Sequence, residues 1–158
     1  MYSSGFNNYY RFASASDFEN IGRKIELLDS VKAPAPQILQ TRQTYKRSSI
    51  LAKQSIVVAN YKCELSSSHN TFIAKSTNHP YMEGHHLLPL SQQHNFKTSL
   101  DVYANIICLC PICHRLLHFG TDKDRIQAIS KLYEKREFRL ENSGIKITKN
   151  DAIELAMS

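Results

Sequence analysis

Apolar residues first fall into helical order at Phe18, Ile21, Ile25 and Leu28, three and four residues apart, which puts them on one face of a helix. Ser16 and Glu19 ahead of them have capping-box form, and Ala33-Pro34-Ala35-Pro36 ends the run because proline clashes with the preceding turn. Residues 1–15 are rich in Tyr, Ser and Asn without a period and read as an irregular arm. A second helix is predicted over Ser48–Asn60, with Ile50, Leu51, Gln54, Val57 and Val58 as its stripe and Lys53 facing outward. The period then shortens. Thr71-Phe72-Ile73 and Tyr81-Met82-Glu83 read as short strands around a turn at Ser76–Pro80, and the second runs on into His85-His86-Leu87. Gln92–Ser99 is polar and loop-like, Leu100–Tyr103 a helical turn, and Ile106–Cys108 a further strand. Pro111 suits the first turn of a helix that carries His114 and His118 on one face. Thr121 caps another, whose stripe of Ile126, Ile129, Leu132 and Tyr133 runs to about Phe138. Asn142-Ser143-Gly144 turns the chain, Ile145-x-Ile147 predicts a short strand, and Asp151–Met157 closes with a turn or two of helix.

These elements describe an α+β chain, and 158 residues at 42% hydrophobic content suffice for one modest core. No apolar run nears the roughly 18 residues of a membrane span, and the start MYSSGFNNYY lacks the charged-then-apolar order of a signal peptide. The expectation is a soluble, cytoplasmic protein with no membrane partner. Net charge is +6, and its placement says more than its size. From Ser30 to Cys63 there is no acid, while Lys32, Arg42, Lys46, Arg47, Lys53 and Lys62 are basic. Such a stretch suits a polyanion, and it also fits a solvated linker.

The candidate chemistry is crowded into a short span. All seven histidines and all four cysteines lie between Cys63 and His118. Cys108, Cys110 and Cys113 beside histidines suit a metal and a reducing compartment better than a disulfide framework. The order histidine, asparagine, histidine beside a cysteine pair resembles the HNH endonucleases. The matching residues are Cys63-Glu64, His69, Tyr81-x-Glu83-x-His85-His86-Leu87-Leu88-Pro89-Leu90, Leu100-Asp101-x-Tyr103-x-Asn105-Ile106 and Leu109-Cys110-Pro111-x-Cys113-His114-Arg115-x-x-His118. The resemblance covers roughly residues 45–140 and is greatest to the HNH domains of McrA-type restriction endonucleases, many of which cut DNA carrying modified cytosine. It implies a small ββα-metal (HNH, or His-Me finger) core in which two strands and a helix hold one divalent cation against the scissile phosphate.

Cutting a phosphodiester near neutral pH requires a base to activate water and a cation to stabilise charge on the phosphate. Histidine suits the first role because its pKa lies near 6.5. Adjacent residues on a strand point to opposite faces, so His85 and His86 cannot share a job. By the family pattern His85 is a metal ligand, His86 the general base, His114 a second ligand, and Asn105 holds the strands together and orients His86 through a backbone hydrogen bond. His118, one helical turn beyond His114, fits a third ligand, a phosphate donor or a surface residue. Glu83, two before His85, fits an auxiliary ligand or a partner for a basic residue.

Cys110-x-x-Cys113 forms the short knuckle of a tetrahedral zinc site, which needs two more ligands. Many relatives carry Cys-x-x-Cys where this chain has Cys63-Glu64-Leu65-Ser66. The expected set is therefore Cys63, His69, Cys110 and Cys113, with Cys108 as the rival fourth ligand. The expected whole is a nuclease domain over 45–140, preceded by an arm and amphipathic helix over 1–44 and followed by an extension over 141–158. It acts on DNA with a divalent cation (Mg, Mn, Ni or Zn) and a structural zinc, and contacts backbone phosphates through Arg42, Lys46, Arg47 and Arg115. Whether the further partner is a second copy or a separate target-recognition domain or chain stays open. The alternative is a zinc-stabilised nucleic-acid-binding module without catalysis.

Overall fold

The computed structural model describes residues 47–158. The predicted helix beginning at Ser16, the boundary at residue 44, and the candidate DNA contacts Arg42 and Lys46 lie outside the described residues.

Helix α1 (Ser49–Val58) starts where its sequence says it should, with the Ser48 hydroxyl accepting from the Leu51 amide at 3.3 Å. Its inward face differs from the expected stripe. Leu51, Ala52, Ser55, Ile56 and Ala59 turn inward, whereas Ile50, Val57 and Val58 are exposed. The reason is a close approach to the sheet: a Cβ added at Gly84 would lie 3.0 Å from the Ala52 Cβ. Only small side chains fit that crossing, so the helix presents Ala52 and Ser55 and leaves its bulkier residues outside. Asn60 and Tyr61 then both adopt positive φ (51° and 54°), a sharp turn that leads into Cys63.

Strands β1 (Glu83–His86) and β2 (Ile106–Leu109) form an antiparallel pair, with Glu83 opposite Leu109, Gly84 opposite Cys108, His85 opposite Ile107 and His86 opposite Ile106. Every residue of β2 is fully buried. Thr71-Phe72-Ile73 does not become a strand. A single bridge joins Ile73 to Pro80, with Phe72 stacked on Tyr81 at 4.9 Å. Short 3-10 segments, Leu90–Asn95 and Tyr103–Asn105, fill the connection between the strands.

Helix α2 (Pro111–Phe119) follows β2 directly, with Cys110 as its cap and Pro111 in its first turn. Helix α3 (Asp122–Asn142) is capped by Thr121 and runs past the expected end at Phe138, where Leu140 is a further buried anchor. Gly144, at φ 78°, supplies the left-handed residue that closes it. Ile145-x-Ile147 is not a strand, since no partner strand lies beside it among the described residues. Ile145 is instead a fully buried plug, and the Ile147 carbonyl accepts from the Tyr133 hydroxyl at 2.7 Å. Helix α4 (Lys149–Met157), capped by Thr148, packs on α3 through Ala152. The result is a small α+β, ββα-metal fold: the β1–β2–α2 unit with α1, α3 and α4 around it, sharing one core. Among the described residues no helix is long and apolar enough to cross a membrane.

Candidate active site

The strand pair and α2 bring three imidazoles together. One ring nitrogen each from His85, His114 and His118 lies within 4.8 Å of the others. His85 comes from the middle of β1, and the four-residue step from His114 to His118 stacks those two on one side of α2. Nε2 of His114 and Nε2 of His118 face each other at 3.2 Å. That matches the nitrogen–nitrogen edge of a cation site with bonds of about 2.1 Å, so the donor set fits a divalent ion.

The tautomers agree with that fit. Glu83, on the same strand, carries its carboxylate to Nδ1 of His114, and the Tyr81 hydroxyl donates to the other carboxylate oxygen at 3.1 Å. A carboxylate at Nδ1 holds the proton there and leaves the Nε2 lone pair free to bind. Glu83 is thus a partner to a basic residue, and it works through His114. Burial and then the neighbouring His114 and His118 hold His85 well below the usual imidazole range. Burial, followed by His114, Arg115, Arg125 and Arg47, brings His118 down to about 4. Both rings are therefore neutral at neutral pH, the state in which an imidazole could bind a cation.

His86 lies apart from this set, as strand alternation requires. Its Nε2 is 2.9 Å from Oδ1 of Asp101, whose Oδ2 accepts from the Ser48 amide at 2.7 Å. Burial lowers the His86 pKa, and the bond and charge of Asp101 oppose the shift. Asp101 is a residue whose role the sequence pattern does not reveal. Its signal was an acid four residues before Asn105, which only gains meaning once the chain folds back on β1.

Asn105 hydrogen-bonds to Leu87, Leu88 and Leu100 and not to His86 itself. It is fully buried, its Oδ1 accepts from the Leu88 amide at 2.8 Å, and its Nδ2 donates to the Leu88 carbonyl at 2.9 Å and the Leu100 carbonyl at 2.8 Å. Its backbone carbonyl takes the Leu87 amide at 2.8 Å. The side chain thus clasps the two ends of the connection between the strands and fixes the chain immediately after His86.

A second cluster joins Cys63, His69, Cys110 and Cys113, whose ligand atoms also lie within 4.8 Å of one another. Nδ1 of His69 is 3.2 Å from the Cys113 sulfur and 3.5 Å from that of Cys110. A tetrahedral zinc with 2.3 Å thiolate bonds sets its ligands about 3.8 Å apart, so this Cys3His set fits a zinc ion. Burial alone would raise the Cys63 thiol, but bonds from the Cys110, Ser66 and Leu65 backbone and from the His69 ring outweigh it and bring the pKa to about 7. Cys108 stays outside the cluster. It is fully buried, and burial followed by the charges of Glu64 and Cys63 pushes its thiol up to about 12.

Glu64 stands one residue after Cys63 and does different work. Its carboxylate accepts from the Cys108 amide at 2.8 Å and is gripped by the buried Arg136, with Nε to Oε2 at 3.1 Å and a second bond from Nη2 to Oε1. Arg136 also donates to the Tyr103 carbonyl at 3.1 Å. The pair ties the Cys63 loop to β2 and α3, across 72 residues of sequence.

Of the expected DNA contacts, Arg47 is exposed ahead of α1, and its charge is felt at His85, His86 and His118. Arg115 is exposed on α2, its guanidinium 5.8 Å from the centre of the Phe119 ring.

Residues 63–121 match the family described as HNH endonuclease. A type IV methyl-directed restriction enzyme, EcoKMcrA of Escherichia coli (strain K12), is 29% identical over 97 residues, which cover 61% of this chain and 32% of that enzyme. The chain thus spans about a third of the length of that relative. With the paired strands, the helix that follows them and their histidines, these matches make residues 63–121 similar to the HNH endonuclease family and to McrA.

Proposed function

We propose that residues 45–140 are the cleavage domain of a restriction-type nuclease that hydrolyses DNA phosphodiester bonds with a divalent cation, with residues 1–44 and 141–158 as flanking segments. The observation that carries this reading is the division of labour among four histidines. Three turn ring nitrogens toward one point, and the fourth, on the other side of the strand, is paired with a carboxylate. His85, His114 and His118 would hold the cation, which when bound supplies charge stabilisation on the phosphate oxygens and the leaving group.

The protein side of the reaction follows from the hydrogen bonds. Asp101 accepts at Nε2 of His86, which puts the proton there and leaves the Nδ1 lone pair to take a proton from water. As that proton arrives the ring becomes cationic, and the Asp101 carboxylate stabilises it. Asp101 is itself held by the Ser48 amide, so the start of α1 supports the base. Asn105 fixes the backbone just past His86, and Glu83 keeps the His114 lone pair directed at the cation site. Cys63, His69, Cys110 and Cys113 would bind a structural zinc that joins the Cys63 loop to the start of α2. Methyl-directed restriction by the relative supports modified DNA as the substrate.

The test is cleavage of plasmids with and without modified cytosine, in Mg, Mn, Ni or Zn, by the wild-type chain, His86→Ala and Asp101→Ala. His86→Ala is expected to bind DNA as wild type does and to cut at least about 10²-fold more slowly, the usual loss for a general base. Asp101→Ala loses less, because the base remains without its orienting partner. Cutting by His86→Ala at the wild-type rate overturns the assignment. A wild-type protein that binds but cuts in none of the four metals is a nucleic-acid-binding module.

A further inference from the structure

A cavity of about 550 Å³ opens between the end of α1, the Cys63–Ser67 loop and α3. None of its lining residues belongs to the histidine cluster or to the His86–Asp101 pair. Its charge is one-sided: Lys62, Lys135, Arg136 and Arg139 line it against one acid, Glu64. Arg136 saturates Glu64 through two bonds, and the Cys108 amide occupies the same carboxylate. The other three cations are therefore surplus. Lys62 and Arg139 have no acidic partner among the described residues, and Lys135 donates only to the Glu64 backbone carbonyl. Burial and then the neighbouring Arg136 hold Arg139 below its ordinary range, with Glu64 and Tyr103 opposing the shift.

The rest of the lining is suited to more than a bare anion. Ser66 and Ser67 offer hydroxyls at the rim, while Val58, Ala59 and Leu65 form an apolar wall. The volume falls in the range of small-molecule sites and exceeds what phosphate alone would fill. Three uncompensated cations beside an apolar wall are the complement of a phosphate joined to a sugar and base. We propose that this cavity binds a phosphate-bearing nucleotide unit, at a site separate from the histidine cluster. Such a unit comes either from a nucleic-acid strand or from a free nucleotide, and the chemistry of the lining is shared by both.

The experiment uses the full zinc-loaded chain and reads binding, so its outcome does not depend on whether the protein cuts. Fluorescence anisotropy of a labelled single-stranded hexadeoxynucleotide is measured across salt for wild type and for two triple variants. The first, Lys62→Ala/Lys135→Ala/Arg139→Ala, removes the surplus cations, and leaves the Arg136–Glu64 pair intact. The second, Lys75→Ala/Lys123→Ala/Lys146→Ala, removes equal charge at exposed positions outside the cavity. The cavity variant is expected to bind about tenfold or more weakly, with a salt slope reduced by up to roughly three, about one per lost phosphate contact. The control variant stays near wild type. Amide shifts of Ser66 and Ser67 on adding the oligonucleotide locate the contact. AMP that displaces the probe and shifts the same amides identifies a free-nucleotide site; displacement by unlabelled oligonucleotide alone identifies a strand site. Equal losses in both triple variants, or none in either, overturn the proposal, as does wild-type binding that leaves Ser66 and Ser67 unmoved.

Discussion

Replacing Asn105 with alanine removes one side chain and strands three backbone groups. Leu88 loses partners for both its amide and its carbonyl, and Leu100 loses one for its carbonyl, at positions where both residues are 0% exposed. Bulk water does not reach these groups, because the clasp lies inside the core. A buried polar group left unpaired costs about 1–3 kcal/mol. Three such groups on a chain that relaxes partly lead to an expected loss of about 3–5 kcal/mol. That is a large share of the roughly 5–15 kcal/mol that stabilises an ordinary domain. At about 4 °C or more per kcal/mol for a domain of this size, the melting temperature should fall by roughly 15 °C. Asn105→Asp should not rescue it, since a second oxygen would face the Leu88 and Leu100 carbonyls in place of the donating amide. The assay is urea unfolding of the zinc-loaded protein followed by circular dichroism, with the slope compared to confirm that both states are unchanged in kind. A loss below about 1 kcal/mol, together with strongly reduced cleavage by a folded Asn105→Ala, would refute this account and move Asn105 from clasp to chemistry.

Two further outcomes follow from the second cluster and its surroundings. The purified chain should hold about one tightly bound zinc, and Cys110→Ser should fail to fold, because such sites contribute folding energy directly. Elemental analysis that finds no zinc in a folded sample sinks this, and zinc retained by His69→Ala but lost from Cys108→Ser would exchange the fourth ligand. Glu64→Ala should cost about 3–5 kcal/mol in urea unfolding, since it leaves the Arg136 charge buried without its partner. Replacing Arg136 by Met in the same protein should recover part of that loss, and a double-variant cycle with no coupling between the two sites would refute the pairing.

Local features were legible in the chain because their physics is local. Thr121 satisfies one orphan amide, Pro111 fits a first helical turn, and residues four apart on a helix stack whatever surrounds them. That is why His114 and His118, and the Cys110-x-x-Cys113 knuckle, could be read directly. What packing decides was hidden. Periodicity marked α1 as amphipathic but, apart from Leu51, put the wrong residues on its buried side, because the choice was made by the space above Gly84 on another element. Ile145 and Ile147 alternate like a strand, yet an apolar pair serves equally as a plug when no edge lies beside it. The pairings that shape the site, Asp101 with His86 and Glu64 with Arg136, join residues 15 and 72 apart. Acids are common along a chain and carry no sign of their partner. Only the folded backbone brings one of them to a histidine and another to a buried arginine.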